Sequence, residues 1–289
     1  MLPQNSIWMR IAVAVLLPLV LLSFYGLWEA RRVTITRVVI SDPLFSEKWD
    51  GLKLVHLSDI HLERMASHEK AVLQAVEALG PDLICVTGDI AQWNAKGARV
   101  MEFLDALDRI APLFASLGDA DLSLGRARCF WCHDRGDIHK LKGLGPVILR
   151  DEGKLAKIKG RPVWIFGIDP GDSREEIRDF FASSRLLERS RKEPVIVLGH
   201  FSRPWKDLPH ECHVLWLAGD THGGQIWLPR PLWRLFRGKD HAHLYGLFGS
   251  SGGKWLFVTR GIGTTEGLPF RIGRPPEVAV ITFAKPNKN

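Results

Sequence analysis

The sequence predicts an α/β domain behind one N-terminal transmembrane helix, and three observations carry that prediction. After Arg32, strand-like apolar runs alternate with amphipathic stretches, with no internal repeat and no Ser/Gly linker. Five of those runs end in short clusters of Asp, His and Gly. Before Arg32 lies an uncharged stretch of 18 residues, 11–28. With 46% hydrophobic and 25% charged residues, the 289-residue chain is neither disordered nor of low complexity, and it can bury a core. The expected division is an anchor over 1–32 and one domain over 33–289.

Taken in order, the stretch 11–28 covers roughly 27 Å as a helix, close to the thickness of a hydrocarbon core. A cleaved signal peptide would have a shorter apolar region and a small residue three before the cut, which Leu27-Trp28-Glu29-Ala30 does not supply. An uncleaved anchor is therefore expected. Pro18 is tolerated there, and Tyr25 and Trp28 fall at an interfacial aromatic belt. Arg31, Arg32, Arg37 and Lys48 follow the span while only Arg10 and the α-amine precede it, so the positive-inside rule places the domain in the cytoplasm. Strands are expected at 33–40, 52–57, 82–86, 112–117, 163–167, 195–198, 214–218, 255–259 and 278–283. Helices are expected at 67–79, 98–110 and 173–188.

The clusters are Ser58-Asp59-Ile60-His61, Gly88-Asp89, Gly118-Asp119-Ala120-Asp121, Gly199-His200 and Gly219-Asp220-Thr221-His222. Loops at strand C-termini are rooted rigidly side by side, so five such clusters point to one site. Carboxylates and imidazoles converging in this way are ligands for divalent first-row metals. Two ions about 3.5–4 Å apart can clamp a phosphoryl group and activate water for in-line attack. Singly, an Asp after a strand is more often a turn former or a helix N-cap. The ordered set is what carries the signal. The net charge of +7, from 39 basic against 32 acidic residues, suits a phosphate ester or an anionic lipid surface. Nucleic acid is not expected, because no recognised binding module accompanies the basic stretch. Four Cys are too few for a disulfide framework.

In this order and spacing the clusters resemble the calcineurin-like metallophosphoesterases, whose signature runs D-x-H, G-D, G-N-H-D/E, G-H and G-H-x-H. The tail Arg260-Gly-Ile-Gly-Thr-Thr265, the run Leu268-Pro-Phe-Arg-Ile-Gly-Arg-Pro-Pro-Glu277 and the segment Thr221-His-Gly-Gly-Gln225 look like the membrane-anchored bacterial branch. That branch includes YkuE-type phosphoesterases and a UDP-2,3-diacylglucosamine pyrophosphatase. The resemblance implies a four-layer α/β/β/α sandwich and two divalent metal ions (Mn, Mg, Fe or Zn). It implies Asp59, His61 and His222 at one ion, Asp89 as bridge, and His200, Asp119 and Asp220 at the other. Asp121, His200 and His222 are the candidates for catalytic contact. The implied location is a bacterial inner membrane, with a single span.

Three positions depart from that signature. Asp119 stands for Asn, Ala120 for the catalytic His, and Asp220 for the first His of G-H-x-H. Aspartates still bind metal through oxygen and shift the preference toward Mn or Mg. Four aspartates also cancel the charge of two divalent ions, which weakens the pull on phosphate. Ala120 cannot protonate a leaving group, so general-acid help worth about 10²–10⁴-fold is missing. A diphosphate, whose leaving group needs little protonation, suffers least. His133 and His139 are candidate substitutes, although incidental loop histidines are the plainer reading. Cys129 and Cys132 form a C-x-x-C with no second pair, read as incidental thiols. The run 226–237 interleaves aromatics with Arg230, Arg234 and Arg237, and suits a lipid headgroup layer or an active-site cap equally.

The expected function is a membrane-anchored binuclear phosphohydrolase acting on a phosphodiester or diphosphate of a phosphorylated small molecule or lipid precursor. The alternative is a catalytically weak relative that binds phosphorylated ligands.

Overall fold

The computed structural model describes residues 4–92, 95, 97–122, 145–170, 174–229, 232, 243–249, 252–265 and 267–285. Short apolar strands build two six-stranded sheets. The first holds β1 (Thr34–Ser41), β2 (Lys53–Leu57), β3 (Leu83–Thr87), β4 (Leu113–Ser116), β5 (Val147–Ile148) and β12 (Glu277–Ala284), in the order β1-β12-β2-β3-β4-β5. The second holds β6 (Glu152–Ile158), β7 (Arg161–Ile168), β8 (Val195–Gly199), β9 (Val214–Ala218), β10 (Gly246–Gly249) and β11 (Lys254–Val258), in the order β10-β11-β9-β8-β7-β6. β2 through β5 run parallel, as do β7, β8, β9 and β11. Every residue of β3, β4, β8 and β9 is buried, as parallel strands covered on both faces require.

The period-2 alternation of strands divides their side chains between layers. Leu54, Leu83 and Cys85 point between the sheets and meet Ile165, Leu198, Leu215 and Leu217. Their neighbours Val55, Ile84 and Val86 point outward and pack with Val72 and Val76 of α3 (Ser67–Leu79) and Phe103 and Leu107 of α4 (Gly97–Ile110). On the far side, Phe166, Val197 and Trp216 pack with Phe180 and Phe181 of α6 (Arg174–Ser183) and Leu186 of α7 (Leu186–Ser190). The result is the four-layer α/β/β/α sandwich. Residues 119–122 form a single turn, α5, right after β4.

Differences from the sequence reading have local causes. The expected helix 173–188 is two helices, because Arg185 adopts φ 59° and the Ser184 hydroxyl accepts from Leu186 N. β6 was not expected because it is an edge strand with exposed Glu152, Lys154 and Lys157 and no apolar run. β5 and β10 are two and four residues long. The helix α2 (Pro43–Trp49) was also missed, although Asp42 caps it by accepting from Leu44 N and Phe45 N and a Pro opens its first turn.

The N-terminal helix α1 (Gln4–Glu29) is long and apolar enough to cross a membrane over Trp8–Glu29. Its last turn is docked to the domain: Gly26 O accepts from Arg271 N at 3.1 Å, and Glu29, itself buried, accepts from Gly273 N at 2.6 Å. A Cβ at Gly26 would lie 2.9 Å from Phe270 Cβ, so the small residue permits the approach.

Leu217 is fully buried between the sheets. Leu217→Ala should lower unfolding stability by about 2–5 kcal/mol, read as a lower urea midpoint at unchanged slope; an unchanged midpoint would count against the inter-sheet packing described.

Candidate metal centre

Side chains from the C-terminal ends of β2, β3, β4, β8 and β9 meet at one place. The backbone makes this possible by turning into the left-handed region directly after the strands. Of nine non-glycine residues with positive φ among the described residues, five are Asp59, His61, Asp89, Asp220 and His222. Such conformations are unfavourable locally and cluster where a site demands them. Close approach demands glycine as well: a Cβ at Gly118 would collide with the Asp89 carboxylate, and one at Gly219 with Asp59 and Ser58.

Within this frame Asp59, His61 and His222 form one group and Asp59, Asp89 and His200 another, with ligand atoms of each group within 4.8 Å of one another. His61 Nε2 lies 3.2 Å from His222 Nε2 and 3.5 Å from Asp89 Oδ2. Asp89 Oδ1 lies 3.5 Å from His200 Nε2, so Asp89 faces both groups, one oxygen to each. Its Oδ1 also accepts from Ala120 N at 3.0 Å. His200 Nδ1 lies 3.0 Å from the Thr87 carbonyl, to which it must donate, leaving Nε2 with a lone pair aimed inward. Asp119, half exposed, places Oδ1 3.2 Å from His200 Nε2. Asp59 Oδ1 accepts from Asp220 N at 2.9 Å.

Electrostatically the centre is unbalanced. Burial pushes the Asp59 carboxyl up to about 7; the charges of Asp89 and Asp220 add to this, and His200 opposes it. Burial acts to lower His200, but Asp89, the bond to Asp119 and the charges of Asp59 and Asp220 outweigh it and hold the imidazole well above its ordinary range. Burial, helped by the charges of His61 and Arg271, takes His222 well below that range. Asp59 Oδ2 is buried with no hydrogen-bond partner, and His200 Nε2 is buried against the carboxylates of Asp119 and Asp89. Orphaned polar atoms of this kind demand an explanation. A mixed imidazole and carboxylate set with inward lone pairs fits divalent cations, which would replace the protons that Asp59 and His200 otherwise retain.

The structure thus brings together Asp59, His61, Asp89, Asp119, His200 and His222. Asp220 sits beside them and its backbone holds Asp59, but it falls in neither three-residue group. Asp121 is the remaining candidate for catalytic contact. Its oxygens accept from Ile90 N, Ala91 N and Gly118 N at 2.9–3.1 Å, and it is buried, so it clamps the loops after β3 and β4 together. Cys129, Cys132, His133, His139, Arg230, Arg234 and Arg237 lie outside the described residues. Trp227, beside Gly273, is 54% exposed. Sequence reasoning assigned no role to Gln225, Arg271 or Glu277, all buried around the site. The tail that carries Arg271 and Glu277 was the available signal.

Residues 52–246 match the model of the calcineurin-like phosphoesterase family. The uncharacterized metallophosphoesterase YkoQ of Bacillus subtilis is 26% identical over 279 residues, 91% of this chain and 97% of its own. The phosphodiesterase YaeI of Escherichia coli is 27% identical, with 82% of this chain and 84% of that protein covered. A transmembrane protein with metallophosphoesterase domain from Danio rerio is 26% identical over 95% of this chain and 63% of its own length.

A cation entering this centre must displace protons from Asp59 and His200, both held above their ordinary values. The apparent affinity for Mn(II) should therefore rise as pH increases through about 7. Calorimetry in two buffers of different ionisation enthalpy should find proton release on the acid side; binding without proton release there would contradict the assignment.

Proposed function

The chain belongs to the calcineurin-like phosphoesterase family and is a metal-dependent hydrolase of phosphoric esters; from that premise we propose that it cleaves a phosphodiester or diphosphate, of a lipid precursor such as a UDP-diacylglucosamine. The observation that carries the reading is the cluster of buried aspartates and histidines in which Asp59 Oδ2 has no hydrogen-bond partner and His200 Nε2 faces carboxylates. Asp59, His61 and His222 would hold one ion, and His200, Asp119 and Asp220 the other. Asp89 would serve both, since its two oxygens face His61 and His200. When bound, two divalent ions supply charge stabilisation of the phosphoryl group and activation of water. Mn is the favoured metal because four of the seven ligands offer carboxylate oxygen.

The chain's own groups set the rest. Thr87 O fixes the His200 tautomer, and Ala120 N and Asp220 N orient the Asp89 and Asp59 carboxylates. Position 120 presents only a methyl where the family signature has a proton donor. An alkoxide leaving group would have to depart unassisted, whereas a phosphate leaving group needs little help. This supports a diphosphate over an alkyl ester. A lipid precursor is supported by the docked helix α1, which is long and apolar enough to cross a membrane. In this reading the protein belongs to the membrane-anchored bacterial branch, with its domain on the cytoplasmic side and no nucleic-acid partner.

With Mn added, the purified protein should turn over a nucleotide-sugar diphosphate faster than an alkyl phosphodiester, and Ala120→His should raise the alkyl ester rate by about 10²-fold or more. The reverse substrate order would overturn the diphosphate reading. Two bound ions with no turnover of either substrate would favour the ligand-binding alternative.

A further inference from the structure

Arg271 is fully buried, the one charged residue among the largest fully buried side chains. Among the described residues no carboxylate lies at ion-pair distance from it. Its donors go to main-chain carbonyls instead. Nε donates to Gly263 O at 2.9 Å, and Nη2 bonds the same oxygen. Nη1 reaches Arg260 O at 2.9 Å, Arg274 O at 3.0 Å and His222 O at 3.3 Å. Sealing a guanidinium from water is costly unless its donors are satisfied, and here every branch of the fork is used.

The loops it joins are those of the first ligand group. Gly263 N donates to Asp59 O at 2.6 Å and Ile262 N to Ser58 O at 3.0 Å, so the peptide bound by Arg271 is clipped to the turn that carries Asp59 and His61. Arg271 Nη2 lies 3.3 Å from His222 Nδ1. A guanidinium only donates, so at this contact His222 Nδ1 is the acceptor. The ring is thereby turned with Nε2 toward His61, at 3.2 Å, and Asp59, at 3.6 Å.

The backbone around Arg271 is itself gripped from two sides. Arg271 N donates to Gly26 O and Gly273 N to Glu29, both in the last turn of α1. Opposite, Gln225 Nε2 donates to Phe270 O at 3.3 Å, and Ile272 N donates to Gln225 O at 3.0 Å.

We propose that Arg271 is a positioning residue for the first metal site, buckling the Asp59 and His222 loops into cation-binding geometry, and that the last turn of α1 belongs to the same scaffold. The proposal rests on the reading that Asp59, His61 and His222 hold an ion. Groups that orient metal ligands from behind typically change metal affinity 10–100-fold when altered, although they touch no metal. Lysine cannot replace the function, because one ammonium cannot span these four carbonyls.

The test is Mn(II) titration of the full-length protein in detergent, following free Mn(II) by electron paramagnetic resonance, for wild type, Arg271→Lys, Arg271→Met and Glu29→Ala. Both Arg271 variants should weaken one of the two ions by about 10–100-fold and leave the other nearly unchanged. Glu29→Ala should weaken the same ion by a smaller factor. Equal weakening of both ions, or unchanged binding in a folded variant, would overturn the proposal. Should the Arg271 variants fail to fold, Glu29→Ala decides alone by the same criterion. Failure of wild type to bind two ions, or Asp59→Asn binding both normally, would instead sink the underlying metal reading.

Discussion

Burying Asp59, Asp89, His200 and His222 at the ends of β2, β3, β8 and β9 is possible only if something other than water balances their charge. Backbone donors balance part of it: Ala120 N and Asp220 N each serve one carboxylate oxygen. What they leave is an Asp59 carboxyl pushed up to about 7 and a His200 ring held well above its ordinary range by the aspartates around it. Two divalent cations would relieve both, since the four aspartates of the cluster carry an opposite charge of the same size.

The architecture follows from that requirement. Parallel strands place successive C-termini at one edge, and two such sheets packed face to face supply ligands from both sides of the centre. Left-handed turns at five site residues then fold the side chains back over the sheet edge, with glycine where a Cβ would strike a carboxylate. Asp121 shows how much is spent on rigidity, because its buried carboxylate fastens two loops. Glu277 plays a comparable part behind the site, accepting from Arg260 N and Thr259 Oγ1 and pairing with the Arg260 guanidinium at 3.0 Å.

Much of this was legible in the sequence because its signals are local. Fully apolar runs such as Val195–Gly199 and Val214–Ala218 read as buried strands, and α3 begins and ends as the amphipathic pattern 67–79 indicates. The convergence of Asp59, His61, Asp89, His200 and His222 was readable from their order at strand ends. Edge strands were not, since exposed lysines in β6 erase the apolar pattern. Nor was the clamp made by Asp121, whose partners include backbone groups 30 and 31 residues away. Arg271 was hidden for a different reason: a sequence shows an arginine as surface charge, and only tertiary packing reveals that its partners are carbonyls.

The most direct test is elemental analysis of the full-length protein after Mn(II) loading and dialysis, paired with thermal unfolding of the loaded and stripped forms. Charge balance at the buried cluster predicts two ions per chain and a higher unfolding temperature when they are present. A chain that retains no ion and unfolds at the same temperature with and without Mn(II) would contradict it.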